Sequence, residues 1–94
     1  MAVIARKFRL GGVLSTPGAL AAIERAGQTP HEFLDLHVQG QWGDVDEEDA
    51  QANEAALRSG ERLLSACWKA KGERLWVITE ADRSATTLLP PEES

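Results

Sequence analysis

The chain has 94 residues, of which 43% are hydrophobic and 27% charged, with a formal net charge of −5. That length argues for one domain over 1–94, burying roughly 60–65% of its unfolded surface. A single Cys excludes an internal disulfide and fits a reducing cytoplasm, and no run approaches the roughly 20 apolar residues of a membrane span.

The charge is uneven. Residues 1–25 hold four bases and one acid, residues 26–60 one base and eight acids, and residues 61–94 five bases and six acids. An acidic middle disfavours broad nucleic-acid binding, though a local basic pocket is compatible with it. The apolar run at the N-terminus is too short for a signal-peptide core, and its charges follow it.

In chain order, Val3 to Leu10 alternates imperfectly and predicts a strand, interrupted or bulged at Gly11-Gly12 and continuing into Val13-Leu14. Thr16-Pro17 starts a helix, Thr as cap and Pro where no donor is needed, and Gly27 stops it. Thr29-Pro30-His31-Glu32 reads as a capping box for a second helix, with Phe33, Leu34, Leu36 and Val38 as its apolar face and Gly40 as its end. Trp42-Gly43-Asp44 falls in a connection. Asp44 or Asp46 then caps a third helix whose acidic first turn suits the positive helix N-terminus, and Ser59-Gly60 stops it.

The rest predicts a three-stranded antiparallel meander over residues 62–69, 74–80 and 84–89. Cross-strand pairing rules favour Trp68 opposite Trp76, Ser65 opposite Thr79 and Arg62 opposite Asp82, with Lys71-Gly72-Glu73 as the first turn. A short second turn at Asp82-Arg83 sets Thr79 against Thr86 and Val77 against Leu88. Ser65, Thr79 and Thr86 then cross the sheet as one row of hydroxyls. Pro90-Pro91 ends the last strand and residues 91–94 are expected to fray. The predicted fold is α+β, three helices packed on one face of a small, mainly antiparallel sheet, in the order β-α-α-α-β-β-β.

Few constellations carry chemistry. The run Asp44 to Asp49 starts like a calcium loop, but Asp49 stands where that loop needs Gly and Ala55 where it needs Glu. With one Cys and two His six residues apart, no metal pattern forms, and no cofactor motif is present. Cys67 reads as a buried, inert thiol. His31 and His37 are expected on the helix surface, His37 being the one that could line a cleft beside Trp42. His37, Arg62, Ser65, Thr79, Arg83 and Thr86 have the residue types of a small metal-free ribonuclease: His37 as base, Arg83 holding a phosphate, hydroxyls orienting it. The competing reading is structural, with Thr as a favoured strand residue and Arg62–Asp82 as a rim ion pair. Under a binding reading, Trp42, Asp44, Asp82 and Arg83 would supply the contact surface, Trp and Arg being enriched in hot spots.

Trp42-Gly43-Asp44, Asp49, Ala52-Asn53, Ala56-Leu57, Arg62-Leu-Leu-Ser-Ala66 and above all Trp76-Val-Ile-Thr-Glu-Ala-Asp-Arg-Ser-Ala-Thr-Thr-Leu-Leu-Pro90 carry a resemblance. Over about residues 8–92 the chain resembles a family of short, uncharacterised bacterial proteins found among plasmid, phage and other mobile-element genes. Tyr is usual in that family where this chain has Cys67, and its members end on a single Pro followed by acids and Tyr. The resemblance brings no particular activity. The leading expectation is a soluble mobile-element accessory protein that binds a macromolecular partner, most simply another protein and alternatively RNA; the rival, from the residue types above, is a small metal-free toxin-like endoribonuclease.

Overall fold

A computed structural model describes residues 6–68 and 73–93, with only the backbone of Trp68. The elements are β1 (Gly12–Ser15), α1 (Pro17–Arg25), α2 (Pro30–Val38), α3 (Glu47–Ser59), β2 (Leu63–Trp68), β3 (Arg74–Thr79), β4 (Ala85–Leu89) and a 3-10 turn at Pro91–Glu93. The fold is α+β, with a four-stranded sheet ordered β1-β4-β3-β2. The meander β2-β3-β4 is antiparallel, and β1 joins β4 in parallel.

The N-terminal strand lies further along than the alternation predicts. Residues 6–10 are irregular, 3–5 lie outside the described residues, and pairing begins only at Gly12. Gly11 is the hinge. Its φ is +67°, and a Cβ there would sit 2.4 Å from the Arg83 carbonyl oxygen, so only glycine lets the chain pass this close to the β3–β4 turn.

Two caps form as their residues dictate. Thr16 Oγ1 accepts from Ala19 N, and Asp46 accepts from Asp49 N at the head of α3. The capping box at α2 does not form: Thr29 makes no side-chain cap bond, and the Glu32 carboxylate accepts from Gln28 Nε2 instead. After β4, Pro91–Glu93 form a 3-10 turn, and Thr16 Oγ1 donates to Glu93 Oε1 at 2.7 Å, where the α1 N-terminus favours a carboxylate.

The β3–β4 register matches the expected one, Thr79 opposite Thr86 and Val77 opposite Leu88. The β2–β3 register differs by two residues. Trp68 opposes Arg74, Ser65 opposes Val77, and Arg62 pairs with Glu80 at 3.7 Å rather than with Asp82. The expected Lys71-Gly72-Glu73 turn falls largely outside the described residues. A shift of two keeps every side chain on its face, so hydrophobic patterning cannot distinguish the two registers.

The inward side chains form two apolar clusters. Ala19, Ile23, Phe33, Leu34, Leu75 and Leu88 belong to the larger. Trp42, Ala56 and Leu63 form the smaller, with Phe8, Val45 and Leu57 at its margin. A band of polar side chains runs between them. On α2 the inward residues are Phe33, Leu34, His37 and Val38, with Leu36 facing solvent.

Candidate functional site

The polar band is built around His37. Its Nδ1 is 2.5 Å from Ser65 Oγ and its Nε2 is 2.9 Å from Thr79 Oγ1. Thr79 Oγ1 is 2.7 Å from Thr86 Oγ1, and Thr86 Oγ1 donates to the Leu10 carbonyl at 2.7 Å. The sequence-predicted hydroxyl row therefore exists, but the imidazole separates Ser65 from Thr79. The two-residue difference in register opens that space.

Proton positions follow from the end of the chain. The Leu10 carbonyl can only accept, so Thr86 gives it its proton and must accept from Thr79. Thr79, having donated, accepts from His37 Nε2–H. A neutral imidazole then has a bare Nδ1, which accepts from Ser65. One direction, Ser65 to His37 to Thr79 to Thr86 to Leu10, satisfies every group, and no described buried side-chain nitrogen or oxygen lacks a partner. Burial first, and then the positive charge of Arg83, together lower the His37 pKa from 6.5 to about 4.

His37 is thus fully buried rather than on the helix surface. Position 37 follows Phe33 by four and Leu34 by three, which puts it on their face of the helix. Phe8 and Trp42 close over it edge-on, with ring centroids 5.1 and 5.7 Å from the imidazole, and stack on each other at 6.2 Å. Ser65, Thr79 and Thr86 are equally inaccessible. An acid–base pair must reach its substrate, and in this arrangement water does not reach these groups.

Arg83 closes the other side. It has φ +61°, and its guanidinium lies 5.8 Å from the Phe8 ring centroid. Nη1 donates to the carbonyls of Glu61, Glu80 and Ala81, and Nη2 to that of Ala56. The charge thus sits among backbone carbonyls, of which that of Ala56 lies in the last turn of α3, where a helix favours a cation. A phosphate would have to displace these bonds.

Trp42-Gly43-Asp44 and Asn53 have a shared task. β2 is an edge strand, with Leu64 and Ala66 presenting their backbone groups outward. Ala66 N donates to Trp42 O and Ala66 O accepts from Asp44 N. Asn53 does the same for Leu64: its Nδ2 donates to Leu64 O at 2.7 Å, and its Oδ1 accepts from Leu64 N at 3.1 Å. The side-chain amide stands in for a neighbouring strand. Gly43 has φ +75°, and a Cβ there would lie 2.1 Å from Ala66 O, so the approach requires glycine. Trp42 is buried, with Nε1 donating to Glu54 Oε2.

Of the remaining sequence candidates, Asp44 is exposed and pairs with Arg74 at 2.8 Å. Asp82 is exposed, and its pKa is held down by hydrogen bonds from the Ser84 side chain and then its backbone N–H. Arg62 lies exposed beside Glu80. The structure brings His37, Ser65, Thr79 and Thr86 into one buried chain, with Arg83 and Trp42 beside it. It leaves Asp44, Arg62 and Asp82 at the surface, apart from that chain. Cys67 is buried, and burial pushes its thiol pKa up, away from the reactive thiolate.

A further set of residues lies on the opposite face of the sheet. Leu64, Trp76, Ile78, Thr87 and Leu89 alternate with the inward residues and line an open depression of about 460 Å³, rimmed by Arg62, Glu80 and Glu93. Among the described residues no helix covers it, and only the 3-10 turn reaches its border. The signal was the apolar character of both alternating sets in Trp76-Val-Ile. Among the described residues, no helix is long and apolar enough to cross a membrane, and no group of acids, His and Cys is placed to hold a metal. No known protein family, curated protein or solved structure matches the chain.

Proposed function

We propose that this chain is a mobile-element accessory protein that works by binding a protein partner, with the open face of its sheet as the docking surface. The observation that carries this is the partly exposed row Leu64, Ile78 and Thr87 with Trp76 beside it, on a sheet face that no helix among the described residues covers. An aromatic and branched aliphatic side chains set in a depression are what interface anchors need. The rim holds Arg62 paired with Glu80, and Glu93 accepting from Thr16; with one base against two acids, in a chain of net charge −5, it favours an apolar partner segment flanked by a basic residue. Burial of the His37 chain and the carbonyl bonds of Arg83 favour this reading over RNA cleavage, since both leave the polar groups structural employment. The resemblance to mobile-element proteins supplies the setting.

The test begins with a pull-down of the tagged chain from its host, identifying both RNA and proteins. The purified partner is then titrated against wild type and Ile78→Glu. The expected result is at least a tenfold loss of affinity, about 1.4 kcal/mol, with the melting temperature held. A partner that binds Ile78→Glu as well as wild type, or an RNA captured and cut by the pure protein, refutes the reading.

A further inference from the structure

The two edges of the sheet are treated differently. At β2 the outward backbone groups are taken by Asn53 and by Trp42-Gly43-Asp44, as described above. At β1 they are not. Gly12 N donates to Ser84 O and Thr16 N to Leu88 O, so residues 12, 14 and 16 face β4. Val13 and Ser15 therefore turn their N–H and C=O groups outward, and among the described residues no main-chain group meets them. Natural edge strands are usually guarded by a charge, a proline, a bulge or a covering segment. Gly12-Val-Leu-Ser15 has no charge and no proline, and it holds the two most exposed large apolar side chains described, Leu14 at 58% and Val13 at 48%.

We infer that β1 pairs with β1 of a second copy of this chain, antiparallel about a two-fold axis through Leu14. The parity of the strand selects this partner. The two outward-facing residues straddle Leu14, so an axis there sets Val13 against the partner's Ser15, and Ser15 against the partner's Val13. Both are hydrogen-bonded pairs, and together they satisfy all four outward groups on each copy. Leu14 then meets the partner's Leu14 in the close, non-hydrogen-bonded position, with Cα atoms about 4.5 Å apart. A self-complementary patch of this kind is what a two-fold dimer requires. No side chain on the strand carries a charge that would repel its own copy.

The pairing has a consequence for the surface. Leu14 lies opposite Thr87, on the open face in line with Ile78 and Leu64. Joining the β1 edges makes one eight-stranded sheet whose two depressions lie on a single continuous face. The inference goes beyond the docking reading and does not depend on it. Its interface is small, so association in the micromolar range or weaker is expected.

The experiment is sedimentation velocity of the full chain over a wide concentration range. Wild type should rise from the 10.2 kDa monomer toward twice that mass as concentration increases. Leu14→Glu and Leu14→Lys should each stay monomeric, with circular dichroism and melting temperature unchanged, because the position is exposed. Mixed in equal amounts they should recover the dimer, since the axis brings the two position-14 side chains together. Ile78→Glu should self-associate like wild type, which separates this inference from the docking one. A wild-type mass fixed at the monomer value up to millimolar concentration overturns the pairing. So does a Leu14→Glu variant that still dimerises, or a mixture that does not.

Discussion

His37 should make the fold sensitive to mild acid. In the folded chain its pKa is lowered to about 4; in the unfolded chain it returns to 6.5. Between those values the unfolded state holds one more proton than the folded state, so stability is complete above pH 6.5 and falls as pH drops toward 4. Each unit of that window is worth 1.36 kcal/mol. Between pH 7 and pH 5 the loss from this residue comes to about 2 kcal/mol, and it approaches about 3 kcal/mol by pH 4. The physical event is specific. A second proton on the ring must go to Nδ1, which turns the acceptor of the Ser65 hydroxyl into a donor and strands that proton in a closed space. The assay is urea unfolding at pH 7 and pH 5 of wild type and His37→Phe, followed by tryptophan fluorescence. His37→Phe starts less stable because it orphans the Ser65 hydroxyl and removes the donor to Thr79 Oγ1, but it should lose about 2 kcal/mol less than wild type over the two pH units. Imidazole NMR supplies the direct check: the His37 ring should titrate well below 6.5. Parallel losses in the two proteins, or a His37 titration near 6.5, would show that the ring is not enclosed as described.

Gly43→Ala should destabilise the fold by about 3 kcal/mol in the same urea assay, because it combines a left-handed φ with a clash against Ala66 O; a loss under about 0.5 kcal/mol would mean that the connection is not held against β2. Asn53→Leu keeps the side-chain volume but removes both bonds to Leu64, and should cost about 2 kcal/mol. It should also raise the aggregation rate, read by light scattering, since it uncovers a strand edge. Arg83→Ala withdraws four carbonyl contacts and the cation at the end of α3, so the melting temperature should fall by several degrees; an unchanged melting temperature with lost partner binding would move Arg83 from scaffold to contact surface.

Periodicity and capping chemistry made the α+β class, the meander and the helix starts at Thr16 and Asp46 legible, because those signals are local. Register was not, because the deciding contacts come from elsewhere in the chain. Matching Trp with Trp and Ser with Thr favours a pairing two residues away from the real one, and nothing in the two strands shows that an imidazole from α2 sits between Ser65 and Thr79. His37 itself was misplaced for a related reason. Scoring polarity sends it to the surface, whereas its spacing from Phe33 and Leu34 sends it inward, and the hydroxyls waiting on the sheet let spacing win. The residues of Trp42-Gly43-Asp44 and Asn53 stood out as a motif without a reason. The reason is geometric: they complete a strand edge, a task that composition does not display. The docking face was overlooked because Trp76 was matched to Trp68 across the strands and Ile78 read as an ordinary strand residue, until the helices prove to lie on the other side.

The β1–β4 pairing has a further bearing, on the order of folding. Gly12 meets Ala85 and Thr16 meets Glu93, so the contacts that complete the sheet join residues more than seventy positions apart. Hairpins such as β3–β4 close short loops and can form early; β1 can dock only once β4 has a partner and a place, and its loop-closure entropy is the largest of any strand pair in the sheet. β1 is therefore the strand expected to arrive last and to detach first, and the meander with its helices is the unit that holds while it does.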